Sequence, residues 1–344
     1  MTGPALQEVP ASRYATWFDA NHGRLSGRSP FHDPRWLQAV SDGIGFDLGF
    51  VGAFSGSDLT AVIPGFLARR GPVRLFGSPL RGTMTSYLGP VALAPAPTEV
   101  ERRELIVAAA AFARRRWRAR YARFTVRDAD GSALPLPGPG WHQQRPPSYR
   151  LDLSPGEDEV FAGLKSSCRR NIRKAAREGV EIVDLDDPAL FFDILQDTFR
   201  RHASTSWHPP RFFASIIDAL VPPGLLWGLG ARYEGEIIAA GLFLHDDREI
   251  HFLSGASRAG HGSLPTSYLL HWHAIARAIG EGLSVFNSEA SGIRSIDEFK
   301  ETYNPVLERR GTLVRAPWPV WRAQKTLLRW NKGVRRLRSR VATG

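Results

Sequence analysis

Apolar and polar positions along the chain fall into two similar runs. In the first half, apolar residues at Leu48–Phe54 stop at the turn Ser55-Gly-Ser-Asp58, resume over Leu59–Ala68 and return at Val73–Phe76. In the second half, Leu225–Tyr233 stops at Glu234-Gly-Glu236 and is followed by Ile237–Leu244 and Glu249–Gly255. β-rich flanks around a polar, glycine-containing turn predict hairpins in both places. Each trio is followed by a helical segment, Glu99–Arg118 or Leu264–Gly280, and then by a short strand, Arg123–Arg127 or Leu283–Phe286. This order, met twice, predicts a duplicated α/β domain with mixed, largely antiparallel sheets and helices on their faces.

The stretch Asp130–Pro147 is rich in Gly and Pro and reads as an irregular connection between the halves. A strand at Tyr149–Leu153 opens the second half. Helices are expected at Glu157–Gly163, Ser166–Glu178, Pro188–His202 and Pro210–Leu220, with Gly179 stopping the second of them. The expected domains are 1–135 and 148–318, followed by a basic tail, 319–344. In the tail, Val320, Ala323, Leu327, Trp330, Val334 and Leu337 alternate spacings of three and four, which makes one apolar stripe on a helix. Eight cations lie around it from Arg322 to Arg340.

Composition changes the picture in two respects. At 344 residues, 43% hydrophobic and 23% charged, the chain suits two ordinary globular domains. Its net charge of +11 sits wholly after Glu308, where 11 Lys and Arg meet no acid; the rest carries 34 bases and 34 acids. An anionic partner, whether a membrane face or tRNA, is therefore expected at the C-terminus. The one cysteine, Cys168, excludes an internal disulfide and fits a reducing compartment. No signal-like or 18-residue apolar segment is seen, so a cytoplasmic protein, peripheral at the inner membrane face, is expected.

Two segments carry candidate chemistry. The first is Leu164-Lys-Ser-Ser-Cys-Arg-Arg-Asn-Ile-Arg-Lys-Ala-Ala-Arg-Glu-Gly-Val180. Helical spacing aligns Lys165, Arg169 and Arg173. Such a face either grips a phosphate, since guanidinium binds oxyanions in bidentate fashion, or is simply solvated above a core reached through Ile172 and Ala176. The second is Val285-Phe-Asn-Ser-Glu-Ala-Ser-Gly-Ile-Arg-Ser-Ile-Asp-Glu-Phe-Lys-Glu-Thr-Tyr303, a strand opening into a polar loop and then a helix.

Both segments resemble the Fem-type and CelD-like group of GNAT acyltransferases, in which Arg-x-Asn-Ile-Arg-Lys and a closing Gly-Ile … Phe-Lys recur. The resemblance extends from about Pro30 to Arg315, and takes in Ser29-Pro-Phe-His-Asp-Pro-Arg-Trp36 near the start. It implies two GNAT-like domains with the site in the cleft between them, and N-acyl transfer by direct attack of an amine. The acceptor would be a small molecule or a cell-envelope or polysaccharide precursor. No tightly bound cofactor is implied. The donor would be acyl-CoA, or alternatively aminoacyl-tRNA, as in Fem-type relatives. Where the group has Asp after the aromatic, this chain has Asn287.

The loop Ser257-Arg-Ala-Gly-His-Gly-Ser263, between a strand and a helix, partly matches the GNAT loop for the CoA pyrophosphate. Ser257, Arg258, Gly260 and Gly262 are the candidates there. Amide formation needs a neutral amine, an exit for its proton and donors for the oxyanion. Glu289 is the candidate base by position, Lys300 the candidate oxyanion or phosphate ligand, and Tyr303 or Tyr268 the candidate acid. In the first half, the loop Gly77–Pro90 offers Arg81 and Tyr87 toward a substrate. Histidines show no metal spacing, and His271 and His273 diverge on their helix. A non-catalytic membrane-surface adaptor, with Glu289 and Lys300 inert, is the rival reading from another class.

Overall fold

The computed structural model describes residues 5–127, 136–201, 205–206 and 208–322. They divide into two compact units, 1–146 with 309–322 and 147–308. The first unit holds β1 (Ala5–Glu8), α1 (Ala11–Asn21), β2 (Leu25–Ser26), α2 (Pro34–Ile44), β3 (Asp47–Ser55), β4 (Asp58–Arg70), β5 (Val73–Ser78), β6 (Val91–Leu93), α3 (Glu99–Arg116), β7 (Ala119–Val126) and β8 (Trp141–Gln144). The second holds β9 (Pro147–Asp152), α4 (Glu157–Gly163), α5 (Ser166–Arg177), β10 (Glu181–Asp184), α6 (Pro188–Arg201), α7 (Pro210–Leu220), β11 (Leu226–Tyr233), β12 (Glu236–His245), β13 (Glu249–Ser257), α8 (Thr266–Gly280), β14 (Val285–Glu289), α9 (Arg294–Glu301) and β15 (Val306–Arg309). A last strand, β16 (Gly311–Arg315), returns to the first sheet.

The duplication is visible in the pairing. The first sheet runs β1-β3-β4-β5-β7-β16-β8, with β6 also on β4 and β2 on β6; the second runs β10-β11-β12-β13-β14-β9-β15. In each, three strands joined by tight turns are followed by a helix and a parallel strand: β5 with β7 across α3, and β13 with β14 across α8. A parallel neighbour requires such a crossover, whereas antiparallel neighbours need only a turn. Both hairpin trios and both crossover helices stand where the hydrophobic pattern places them.

Two boundaries differ from the sequence expectation. The connection Asp130–Pro147 is not wholly irregular, because Trp141–Gln144 pairs with β16. Residues up to 318 do not all close the second domain, because Gly311–Arg315 pairs with Val126–Ala122 in the first. Thr312 and Thr125 bond through their hydroxyls at 3.0 Å across that ladder, and both are fully buried. The basic tail lies almost wholly outside the described residues. Its start, 318–322, is helical, and Trp321 stacks on His142 of the same unit at 4.2 Å.

Local chemistry explains the termini. Asp33 accepts from the Arg35 amide ahead of Pro34 to cap α2, and Gly45 ends that helix at φ +74°. Thr98 and Glu101 form a capping box on α3. In the second unit, α5 buries Cys168, Ile172 and Ala175. Ala176, expected to share that face, is exposed. The core beneath α5 and α8 is built from Trp227, Leu229, Phe243, Ile250, Leu270, Ala274, Phe286 and Tyr303 among others.

One glycine there has a steric reason. A Cβ on Gly228 would sit 2.0 Å from the Leu185 carbonyl oxygen, and the Leu185 amide donates to the Gly228 carbonyl at 2.8 Å. Backbone cannot rotate away as a side chain can. Gly228→Ala is therefore expected to lose about 1–3 kcal/mol by overpacking. Urea unfolding monitored by circular dichroism checks this; an unchanged midpoint would show that the edge strand gives way freely.

Candidate active site

The second sheet opens at one point. β13 and β14 pair in register from Glu249–Val285 to Phe252–Ser288, and past Phe252 the β14-facing edge of β13 has no strand partner among the described residues. β14 continues on its other edge against β9 as far as Glu289–Ser148. Alternate residues of β14 face opposite ways. Phe286 and Ser288 line a pocket on the α8 side, together with Tyr149, Leu151, His271, Lys300, Tyr303 and Pro305. The pocket holds about 260 Å³ of unfilled space including its open mouth, and narrows inside to room for a single water.

Lys300 reaches this pocket through the design of the preceding loop. Asp297, in the first turn of α9, accepts from the amides of Ser291 at 2.7 Å and Gly292 at 3.0 Å, and from the Ser291 hydroxyl at 2.9 Å. Gly292 takes φ +69° to present its amide. The carboxylate thus ties the loop after β14 to the helix. One turn later, Lys300 points back and its ammonium donates to the Glu289 carbonyl at the strand end. It also lies 5.7 Å from the centre of the Phe252 ring. Lys300 is only 8% exposed. Burial pushes its pKa below the usual 10.5, and the charges of Asp297 and Glu289 oppose that shift.

His271 shares the pocket and is the residue that sequence reasoning passed over. It stands on α8 among the rings of Phe252, Phe299, Phe243 and Tyr303, between 4.3 and 5.9 Å away. Its Nδ1 lies 2.9 Å from the Ser267 carbonyl oxygen. A carbonyl only accepts, so Nδ1 carries the proton and Nε2 is bare. Nε2 is buried and has no hydrogen-bond partner among the described residues. Burial, with Lys300 acting in the same direction, lowers the pKa to about 3, so the ring is neutral at physiological pH. A buried acceptor left unmade costs about 1–3 kcal/mol. The spacing of His271 from His273 bears on a shared metal and does not address a lone imidazole.

The other wall residues are held by protein groups. The Tyr303 hydroxyl donates to the Tyr268 carbonyl at 2.9 Å, and burial raises its pKa well above 10. That geometry makes Tyr303 a wall rather than a ready acid. Tyr149 donates to Glu301 at 2.9 Å; burial first, then that carboxylate, push its pKa up to about 12. On the opposite face of the sheet, buried Asn287 lies 3.2 Å from Glu249 and 3.3 Å from His251. An aspartate at this position would set a second carboxylate against Glu249. Glu289 is half-buried at the strand end, beside the carbonyl that Lys300 holds.

The two strong sequence segments converge physically. The Lys165 amide donates to the Thr302 carbonyl at 3.0 Å, which joins the start of α5 to the end of α9. The expected phosphate grip on α5 is not assembled as drawn. Arg169 turns back to the end of α4, donating to the carbonyls of Ala162 at 2.6 Å and of Leu164. Arg173 lies over the Phe161 ring at 5.2 Å. Lys165 and Arg173 remain exposed. Lys174, next in the same segment, donates to the Ser263 carbonyl at 3.0 Å and so braces the glycine loop.

That loop, too, differs from expectation at its start. Arg258 is engaged by Asp193 at 2.9 Å, Asp197 at 3.1 Å and Glu236 at 3.1 Å. Ser257 exchanges bonds with Thr198, and its carbonyl and hydroxyl accept from Arg201. Neither is placed to meet a ligand phosphate. The amides of 259–263 find no acceptor among the described residues, and Leu264 and Pro265 separate them from the start of α8. Gly260 has φ +88°; a Cβ on it or on Gly262 would touch nothing. A run of open amides at a helix N-terminus suits an anion.

In the first unit, Arg81 is exposed and donates to Gln144 at 2.7 Å. Tyr87 does not face solvent. It is 2% exposed, with the guanidinium of Arg127 at 5.2 Å and that of Arg310 at 4.7 Å from its ring.

Residues 163–301, about two fifths of the chain, match the family described as acetyltransferase (GNAT) domain. No curated protein matches the chain. Among solved structures, FemX aligns with a TM-score of 0.71 at 10% identity, covering 93% of this chain and 99% of FemX. The C-terminal domain of a putative lysylphosphatidylglycerol synthetase from Agrobacterium fabrum aligns at 0.56, with 15% identity over 92% of this chain and 95% of that one. A tandem GNAT protein from the clavulanic acid biosynthesis pathway aligns at 0.54, with 14% identity over 90% of this chain and 97% of its own. At these identities the structures speak for the fold, while the family match bears on the chemistry. Residues 163–301 thus match the acetyltransferase (GNAT) domain family, in a chain whose fold of two similar sheets is that of FemX.

Proposed function

We propose that the protein is an N-acyltransferase that moves an acyl group from acyl-CoA to a primary amine on a small molecule or an envelope precursor. The observation that carries the donor is the run of open amides at 259–263, braced by Lys174 and leading into α8. His271 lies five residues beyond Thr266, the first residue of α8, which is roughly 7–8 Å along its axis. The glycine loop and the His271 side of the pocket thus lie along one helix.

In this reading the amine attacks the thioester carbonyl, the C–S bond breaks, and the amine proton leaves with the thiol. Lys300 supplies a buried cation for the oxyanion, where low surrounding polarity strengthens its effect. Glu289 is the group nearest the strand end that can take a proton from the incoming amine. Glu289→Gln is expected to lower kcat at least about tenfold, or about 1.4 kcal/mol, with little change in Tm. A variant at full kcat would assign proton removal elsewhere.

Calorimetric titration distinguishes the donors. Acetyl-CoA should bind with a shallow salt dependence, because it presents few phosphates. Binding by aminoacyl-tRNA would weaken steeply as salt rises, through counterion release. Salt-sensitive binding of charged tRNA with no heat from acetyl-CoA would overturn the proposed donor.

A further inference from the structure

The pocket presents two complementary groups. Lys300 brings N–H donors and positive charge, while His271 brings a bare, buried nitrogen with no partner among the described residues. Their charges and hydrogen-bonding roles are opposite, and both line one narrow space. The species that fits them during reaction carries an acceptor and an N–H on one carbon. The tetrahedral adduct of an amine and a thioester has both.

We propose that His271 Nε2 accepts the N–H of the attacking amine and holds it against the acyl carbon while Lys300 takes the oxyanion. The proposal rests on the acyl-transfer reading above and names the contact that orients the nucleophile. His271 stays neutral throughout. The N–C bond forms as the carbonyl electrons move to oxygen; the C–S bond then breaks, and the proton goes to sulfur. The imidazole is thus an acceptor that aims the nitrogen lone pair, and no proton is stored on it. Ser267 fixes this arrangement from one turn before, because its carbonyl holds the proton on Nδ1. The aromatic rings around His271 prevent the imidazole from turning over and exchanging its nitrogens. They also keep water from competing for Nε2. A charged ammonium is disfavoured beside Lys300, so the pair selects the neutral amine that the reaction requires.

His271→Phe keeps a ring in the aromatic box and removes the acceptor. With acetyl-CoA as donor it is expected to lower kcat at least about tenfold while the KM for acetyl-CoA stays within about twofold. His271→Gln returns an acceptor oxygen and should recover part of the loss; this rescue separates positioning from packing. Wild-type kcat in His271→Phe overturns the proposal, as does a His271→Gln variant no faster than His271→Phe at equal Tm. An independent reading needs no acyl donor. Nitrogen NMR of the imidazole during titration with methoxyamine, whose nitrogen is unprotonated at neutral pH, should move Nε2 and leave Nδ1 in place. An unmoved Nε2 overturns the contact even if acyl transfer is established. If the wild type transfers no acyl group from any acyl-CoA, the functional reading fails separately, and the NMR result still decides the amine contact.

Discussion

Lys300→Met is expected to lower kcat about 100-fold or more, the range found when one donor to an oxyanion is removed. Methionine keeps most of the buried volume and discards the charge. The fold should tolerate it, since the bond to the Glu289 carbonyl and the contact with the Phe252 ring are lost but the burial cost of an ammonium is removed with them. Stability against pH gives a second signature. The groups facing Lys300 are Asp297 on its own helix, Glu289 on β14 and neutral His271 on α8. Burial outweighs the two carboxylates and leaves its pKa below that of a free lysine, so between the lowered value and 10.5 the unfolded chain binds more protons than the folded one. Wild-type stability should therefore gain as pH rises through that window, and Lys300→Met should lack this gain. Thermal unfolding at stepped pH measures it. A variant with wild-type kcat would reduce Lys300 to a strap on the loop.

The second large effect is expected at the glycine loop. Gly262→Pro removes one backbone donor from the run before α8. A bond to a charged oxygen contributes about 1.5–3 kcal/mol, so acetyl-CoA affinity should fall roughly 10- to 100-fold. Gly262 is exposed and a side chain there meets nothing, so Tm should hold. Calorimetry on the purified variant checks both. Undiminished affinity would place the donor's anion elsewhere, and the exposed Lys165 and Arg173 would be the next cations to test.

What the sequence made legible was local. The hairpins β3–β4 and β11–β12 announce themselves by apolar runs broken at glycine turns. β16 does not, because its partner β7 lies some 190 residues earlier and nothing in Gly311–Arg315 names it. The same limit governs the site. Phe299-Lys300 could be read by resemblance, and the Asp297 clamp explains why a Ser-Gly-Ile loop accompanies it. Charge pattern put Arg169, and a partial loop match put Arg258, near phosphates, yet carbonyls and carboxylates of the protein itself claim them. His271 was illegible for the opposite reason. Its significance comes from a tautomer and a missing partner, which only the packing of α8 against β14 and α9 decides.

The central claim is acyl transfer from a thioester at the Lys300 pocket. Its most direct test follows an isotopically labelled acetyl group from acetyl-CoA into a panel of amino sugars and diamines by mass spectrometry, with wild type and Lys300→Met side by side. The account expects labelled amide and an equal amount of free thiol from the wild type, and about 100-fold less of both from the variant. No labelled amide and no thiol from the wild type, with aminoacyl groups moving from charged tRNA instead, would contradict it.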